Sequence, residues 1–119
     1  MMASSTAPAS EPLPARVIAS TEAAFRDALI ESIERLELSD RNLLRFHYAH
    51  GLPLDQLVDL FCSHRPTLQR RLARIREQLL RDTRRGLAAR LPLAKPELDH
   101  LLDLARSRFD FALTRVLRS

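Results

Sequence analysis

The chain has 119 residues and a net charge of +4, and this length corresponds to one domain of about 100 to 200 residues. Two glycines leave almost nothing for glycine-rich phosphate loops or tight β-turns, so we expect an all-α fold. One cysteine excludes an internal disulfide, and no apolar run approaches the roughly 18 residues of a membrane span. We therefore expect a cytoplasmic protein without membrane contact.

An Ala-, Ser- and Pro-rich stretch opens the chain. We expect residues 1–19 to be a disordered tail, because its prolines remove backbone donors and restrict the residues before them. The first helix is predicted to begin with Ser20 or Thr21 as its N-cap residue and to run to Leu36, since apolar residues recur along it at helical spacing. Residues 20–90 form the main domain in this prediction.

Two short helices are predicted in the middle of the chain. Ser39-Asp40 is expected to open the first, and Gly51 is expected to end it as the C′ residue, where glycine is favoured. The second covers residues 54–61 and stops at a three-residue break, 62–64.

A long basic helix follows, and an amphipathic helix ends the chain. The basic helix is predicted over residues 65–90, where Leu91-Pro92 ends it. The last helix begins near Pro96 within the segment 91–119, and its apolar side either packs on the main domain or docks on a partner. The predicted fold is a small helical bundle that contains a helix-turn-helix and carries an additional C-terminal amphipathic helix.

Positive charge is concentrated in residues 65–90. This segment holds nine arginines and two acids, a net +7, so the rest of the chain sums to −3. Two acids within the helix cannot neutralise nine arginines, and a dense row of cations is typical of nucleic-acid binding. Together with the short helix before it, the segment predicts a helix-turn-helix, whose second helix enters the major groove of DNA.

The first turns of the basic helix hold the candidate DNA-binding residues. Arg65, Pro66 and Gln69 are predicted to face base edges, where Arg pairs with guanine and Gln with adenine. Leu68 and Leu72 are predicted to lie in the core with the other apolar residues at this spacing. The residues predicted to contact flanking phosphates are Arg70, Arg71 and Arg74.

Four sequence motifs in this region belong to one pattern. They are LSDRNLLRFHY at 38–48, GL at 51–52, LDQL at 54–57 and HRPTLQRRLARIREQL at 64–79. The combination resembles region 4 of sigma-70 family RNA polymerase sigma factors, and it is closest to the extracytoplasmic-function type.

The resemblance implies a non-enzymatic, DNA-binding protein of transcription initiation. Region 4 recognises the −35 promoter element through its second helix and docks on the flap of the polymerase β subunit. The resemblance likewise implies that Arg65, Pro66 and Gln69 face the bases. It also implies that Thr67, Arg71 and Arg74 contact the DNA backbone. Double-stranded promoter DNA, the RNA polymerase core and an anti-sigma protein are the partners to expect.

Two departures from the family pattern stand out. Pro53 replaces the serine that usually caps the short helix, although Gln56 keeps the N3 position. A complete sigma factor also carries region 2 upstream, so we expect either a shortened sigma factor or a stand-alone region-4 protein. Two other functions stay open: a module that binds RNA polymerase or an anti-sigma partner without reading DNA, and a dimeric helix-turn-helix repressor.

We expect no metal ion, cofactor or catalytic site. The residues that could be assembled into a metal site are His47, His50, Cys62 and His64, and their spacing differs from that of zinc sites. Cys62 by itself is expected to be a small buried apolar side chain. The acids of the last helix are expected to form a polar face and not a pair for acid–base catalysis: Glu97, Asp99, Asp103 and Asp110.

Overall fold

The structure is a computed structural model that describes residues 15–118, and helices with short connections make up this part of the chain. Its six α-helices are α1 (Ala15–Glu34), α2 (Leu38–Leu44), α3 (Leu54–Leu60), α4 (Arg65–Arg90), α5 (Lys95–Ser107) and α6 (Phe109–Arg118). A π-helical turn, Arg45–Ala49, continues α2. The all-α prediction is confirmed for this range. The first fourteen residues of the predicted tail lie outside the described residues.

Two of the predicted helix starts are wrong. Ser20 and Thr21 lie inside α1, because α1 begins at Ala15, directly after the last proline of the predicted tail. α2 begins at Leu38, one residue before the expected Ser39-Asp40 signal, and Asp40 is buried. A residue type that favours the cap position also occurs inside helices when tertiary contacts satisfy its side chain.

The core lies between α1 and α4 and extends to α2, α3 and α6. The predicted apolar stripe of α4 is confirmed, since Leu68, Leu72, Ile75 and Leu79 are all buried. Burial of each such side chain stabilises the fold by about 1.5–3 kcal/mol. Further fully buried members of this cluster are Leu29, Leu43, Leu44, Leu57 and Leu113.

α1 and α4 approach each other closely where small residues face each other. A Cβ atom added to Gly86 on α4 would lie 2.7 Å from Ala28 Cβ on α1. One turn away, the buried hydroxyls of Ser32 and Thr83 are 3.5 Å apart, and Ser32 also donates to the Ala28 carbonyl oxygen at 2.8 Å. The interface therefore depends on residues without a bulky side chain.

The C-terminal segment contains two helices where the sequence predicted one. The break lies at Arg108, next to Ser107, whose hydroxyl donates to the Leu104 carbonyl oxygen at 2.9 Å and competes with the helical bonds. After the break, Phe109 turns into the main core, whereas Leu98 on α5 packs in a second cluster. Both helices thus pack against the rest of the chain. No helix in residues 15–118 has the length and apolar composition needed to cross a membrane.

A hydrogen-bonded triplet joins the π-helical turn, α4 and α6. Arg76 Nη1 donates to Tyr48 Oη at 2.9 Å, and Tyr48 Oη donates to Asp110 Oδ1 at 3.1 Å. Burial raises the pKa of Tyr48 above its usual value, and the hydrogen bond to Tyr48 raises the pKa of Arg76. The phenol therefore stays protonated, and the triplet intact, across the neutral pH range.

The connection between α3 and α4 contains a strained residue. Cys62 is exposed, so the prediction that it is buried is wrong, and its φ of 48° lies in the left-handed region. The Cys62 N–H donates to the Asp59 carbonyl oxygen at 3.4 Å and the Ser63 N–H to that of Val58 at 3.1 Å. This pair of bonds is a Schellman motif, in which glycine usually occupies the position of Cys62.

We expect Cys62→Gly to raise the free energy of unfolding by about 1 kcal/mol, because glycine adopts a positive φ without steric strain from a Cβ atom. Urea denaturation followed by circular dichroism measures the change. Cys62→Ala is the control, since it removes the thiol and keeps the Cβ atom, and it should bring no gain. A Gly variant no more stable than the Ala variant would show that the backbone at residue 62 is unstrained.

Candidate functional site

The predicted DNA-binding residues lie in the first turns of α4. This helix begins at Arg65, as predicted, with His64 in extended conformation before it and Pro66 in its first turn. Proline is tolerated there because the N–H groups of the first turn have no partner within the helix. The left-handed Cys62 and the connection 61–64 separate α4 from α3.

Burial on one side of α4 determines which of these residues reach solvent. Leu68 and Leu72 pack into the core, so the residues between them that point the other way are solvent-exposed. The exposed members of the predicted set are Arg65, Pro66, Thr67, Gln69, Arg70 and Arg74. The side chains predicted to face base edges therefore lie on an open surface.

Arg65 forms an ion pair with Asp55 in the first turn of α3. Its Nη1 donates to Asp55 Oδ1, and the two side chains are 52% and 80% exposed. Ion pairs this exposed contribute at most about 1 kcal/mol. A phosphate or a base edge can therefore take the place of the Asp55 carboxylate at low cost.

Arg71 points into the protein. Its Nε donates to Asp40 Oδ1 at 2.8 Å, and its Nη2 donates to Ser39 Oγ at 2.6 Å. Its guanidinium also lies 5.6 Å from the centre of the Phe61 ring. The side chain is 25% exposed and that of Asp40 only 10%. Arg71 thus connects α4 to α2 and to the end of α3.

Arg74 shares the same carboxylate at longer range. Its Nη2 lies 3.6 Å from Asp40 Oδ2, and its side chain is 57% exposed. Arg74 therefore remains available to an external anion, whereas Arg71 is held by three neighbours.

Most of the positive charge of α4 is compensated by acids from other helices. As expected, the two acids within α4 do not neutralise the nine arginines, since in residues 15–118 only Arg85 pairs with one of them. The acids that other helices supply were not expected from the sequence. The pairs with other helices are Arg65–Asp55, Arg71–Asp40, Arg74–Asp40, Arg76–Asp110, Arg84–Asp99 and Arg90–Glu31, and Arg85 pairs with Asp82 of α4 itself. Within residues 15–118, Arg70 and Arg81 are the α4 arginines without a carboxylate within 4.0 Å.

The sequence contains no signal for these acidic partners. Asp40 is separated from Arg71 by 31 positions and Asp55 from Arg65 by 10 positions, and the pairs form only once the helices pack. Asp40 and Asp55 are therefore the residues near the site that sequence reasoning missed.

The other residues considered for chemistry have ordinary contacts. His47 Nδ1 lies 3.0 Å from the Leu52 carbonyl oxygen, Glu97 Oε1 accepts the Ala94 N–H at 2.9 Å, and Asp99 pairs with Arg84 at 2.5 Å. In the described part of the chain, no three His, Cys, Asp or Glu side chains are grouped so that they could hold a metal ion.

No family model matches the chain, and no match is found among curated proteins or among solved structures.

Proposed function

We propose that the chain is a non-enzymatic DNA-binding protein of transcription initiation that resembles region 4 of a sigma factor. In this proposal α3 and α4 act as a helix-turn-helix, and the start of α4 enters the major groove of a −35-type promoter element. The observation that carries the proposal is the exposed row at the start of α4, backed by the buried Leu68 and Leu72.

The exposed residues suit two kinds of contact. Arg65 and Gln69 have the paired hydrogen-bonding groups that read guanine and adenine. Thr67, Arg70 and Arg74 suit the phosphates on either side of the groove, and Pro66 keeps its place at the base-facing front of the helix. Arg71 has a structural part in this proposal, because Asp40 and Ser39 hold it.

Docking on the RNA polymerase core through the β flap, an anti-sigma partner and a cytoplasmic location are parts of the proposal that depend on the sequence resemblance. They require a free protein surface outside the start of α4. A pull-down of the full chain with a β-flap fragment tests this part separately from DNA binding.

The test of DNA reading uses Arg70→Ala and Gln69→Ala. We expect Arg70→Ala to weaken binding to all duplexes alike and to reduce the slope of log K against log salt by about 1, because one phosphate contact is lost. Gln69→Ala should cost about 1–3 kcal/mol at one base pair only. Fluorescence anisotropy across a salt series, with duplexes selected from a randomised library, measures both.

The matched control is Arg26→Ala, which removes an exposed arginine from α1. If the parent binds no duplex, or if Arg70→Ala and Arg26→Ala change the salt slope equally, the DNA-binding proposal is wrong.

Asp55→Asn is expected to strengthen DNA binding several-fold. The substitution removes a negative charge beside the proposed phosphate path and releases Arg65, so the salt slope should become steeper by about 1. Asp59→Asn, which removes another exposed acid from α3, is the control for net charge. Equal gains from the two variants would mean that Arg65 makes no separate contact with DNA.

The second candidate is a module that binds RNA polymerase or an anti-sigma partner without reading DNA. The compensated charge of α4 favours it, because Arg70 and Arg81 are the arginines there without an ion-pair partner in residues 15–118. Retention of the β-flap fragment by a chain that binds no duplex would support this candidate.

A further inference from the structure

α4 is longer than the part that the proposed function uses. The candidate residues end at Arg74, and the helix continues to Arg90. At 1.5 Å per residue, these sixteen residues add about 24 Å of helix. This extension therefore has room for a contact of its own.

An arginine stripe runs along the solvent side of α4. It consists of Arg70, Arg74, Arg81 and Arg85, all exposed. The intervals of 4, 11 and 15 residues from Arg70 are close to whole helical turns, so the four side chains share one face. The buried Leu72 and Leu79 lie on the opposite face, in the main core.

The stripe has little compensating negative charge in its second half. Arg81 has no carboxylate within 4.0 Å in the described part of the chain, and Arg85 is 76% exposed although Asp82 lies 3.3 Å away. Glu77 is the acid that interrupts this face, and Arg106 from α5 pairs with it at 2.9 Å. The ion pair with α5 thus offsets the charge of Glu77, and Asp82, which Arg85 neutralises, is the other acid of α4 near this half of the stripe.

The spacing along the stripe fits a duplex. Arg81 lies about 16 Å along the helix from Arg70, whereas the major groove is about 12 Å wide. If the first turns of α4 lie in the groove, its second half therefore lies outside the groove, at the level of the strand that borders it. We propose that Arg81 and Arg85 bind the sugar-phosphate backbone beside the groove, an inference that rests on the proposed DNA-binding function.

The contact of Arg81 and Arg85 with the backbone would increase the affinity for DNA without adding sequence preference, because phosphates are the same at every base pair. It also assigns a role to the C-terminal segment: α5 supplies Arg106, which neutralises Glu77 beneath the phosphate path.

The experiment compares the full chain with its Arg81→Gln/Arg85→Gln variant by anisotropy on a fixed duplex across a salt series. We expect the salt slope to fall by about 2, one for each phosphate contact, with unchanged ranking of duplex sequences. Arg26→Gln/Arg35→Gln removes the same charge from the exposed surface of α1 and the turn that follows it. Arg81→Lys/Arg85→Lys keeps the charge and should restore the slope.

Equal slopes for the Arg81/Arg85 and Arg26/Arg35 variants would overturn the inference, since the effect would then come from net charge. If Arg70→Ala and Gln69→Ala impair binding while Arg81→Gln/Arg85→Gln does not, this inference fails and the proposed function stands. If the parent chain binds no duplex, both fail. A thermal melt of each variant verifies that it is folded.

Discussion

Arg71→Ala is expected to lower the free energy of unfolding by about 3 kcal/mol, because it leaves the Asp40 carboxylate buried without its closest partner. Arg74 is too far from Asp40, at 3.6 Å, to replace the lost hydrogen bond fully. The loss also removes the contacts of Arg71 with Ser39 and Phe61. Urea denaturation gives the value.

Arg70→Ala is the matched control for this prediction. Arg70 is the adjacent arginine, it is exposed, and no carboxylate in residues 15–118 lies within ion-pair distance of it. Its loss should change stability by at most about 0.5 kcal/mol. If the two variants are equally stable, the Arg71–Asp40 pair contributes nothing to the fold. A double variant, Asp40→Asn/Arg71→Ala, should recover part of the stability, since no buried charge then remains.

This expected difference determines how DNA-binding data have to be interpreted. An Arg71 variant that fails to bind DNA can be partly unfolded, so its failure carries no information about phosphate contacts. Arg70 gives the clean result, because its side chain has no part in the packing of α4.

Gly86→Ala is expected to destabilise the protein by about 1–3 kcal/mol, although alanine favours a helix over glycine by about 1 kcal/mol. The added Cβ atom would lie 2.7 Å from Ala28 Cβ and 3.4 Å from Ala28 Cα, so α1 and α4 would have to move apart. A thermal or urea denaturation series measures the change.

Ala28→Gly in the Gly86→Ala background is the test of this cause. The second substitution removes the clashing atom, so the pair of changes should be less harmful than the sum of the two single changes. A Gly86→Ala chain that is more stable than the parent would contradict the close approach of α1 and α4.

The sequence predicts the bounds of α4 well. Residues 62–64 interrupt the pattern before it, Leu91-Pro92 ends it, and the spacing of Leu68, Leu72 and Ile75 sets its buried face. That same spacing predicts that Gln69 and Arg70 are exposed. Helical periodicity alone therefore predicts which residues of the candidate site are exposed to solvent.

Features that depend on contacts distant in sequence could not be predicted. The amphipathic pattern continues across Arg108, so nothing in it indicates the break between α5 and α6. In the sequence, Asp40 is of a residue type that favours the start of a helix. In the structure it is the buried partner of Arg71. Cysteine is a residue type that is usually buried, and the exposure of Cys62 follows from its place in the Schellman motif that ends α3.

The fluorescence of Tyr48 can report on the structure around it. Tyr48 is the single tyrosine of a protein without tryptophan, so intrinsic fluorescence comes from one phenol. That phenol donates to Asp110 and accepts from Arg76, and a carboxylate that accepts a proton from an excited phenol quenches its emission. Detachment of α6 would therefore brighten the fluorescence, which allows the docking of the C-terminal segment to be followed without a label.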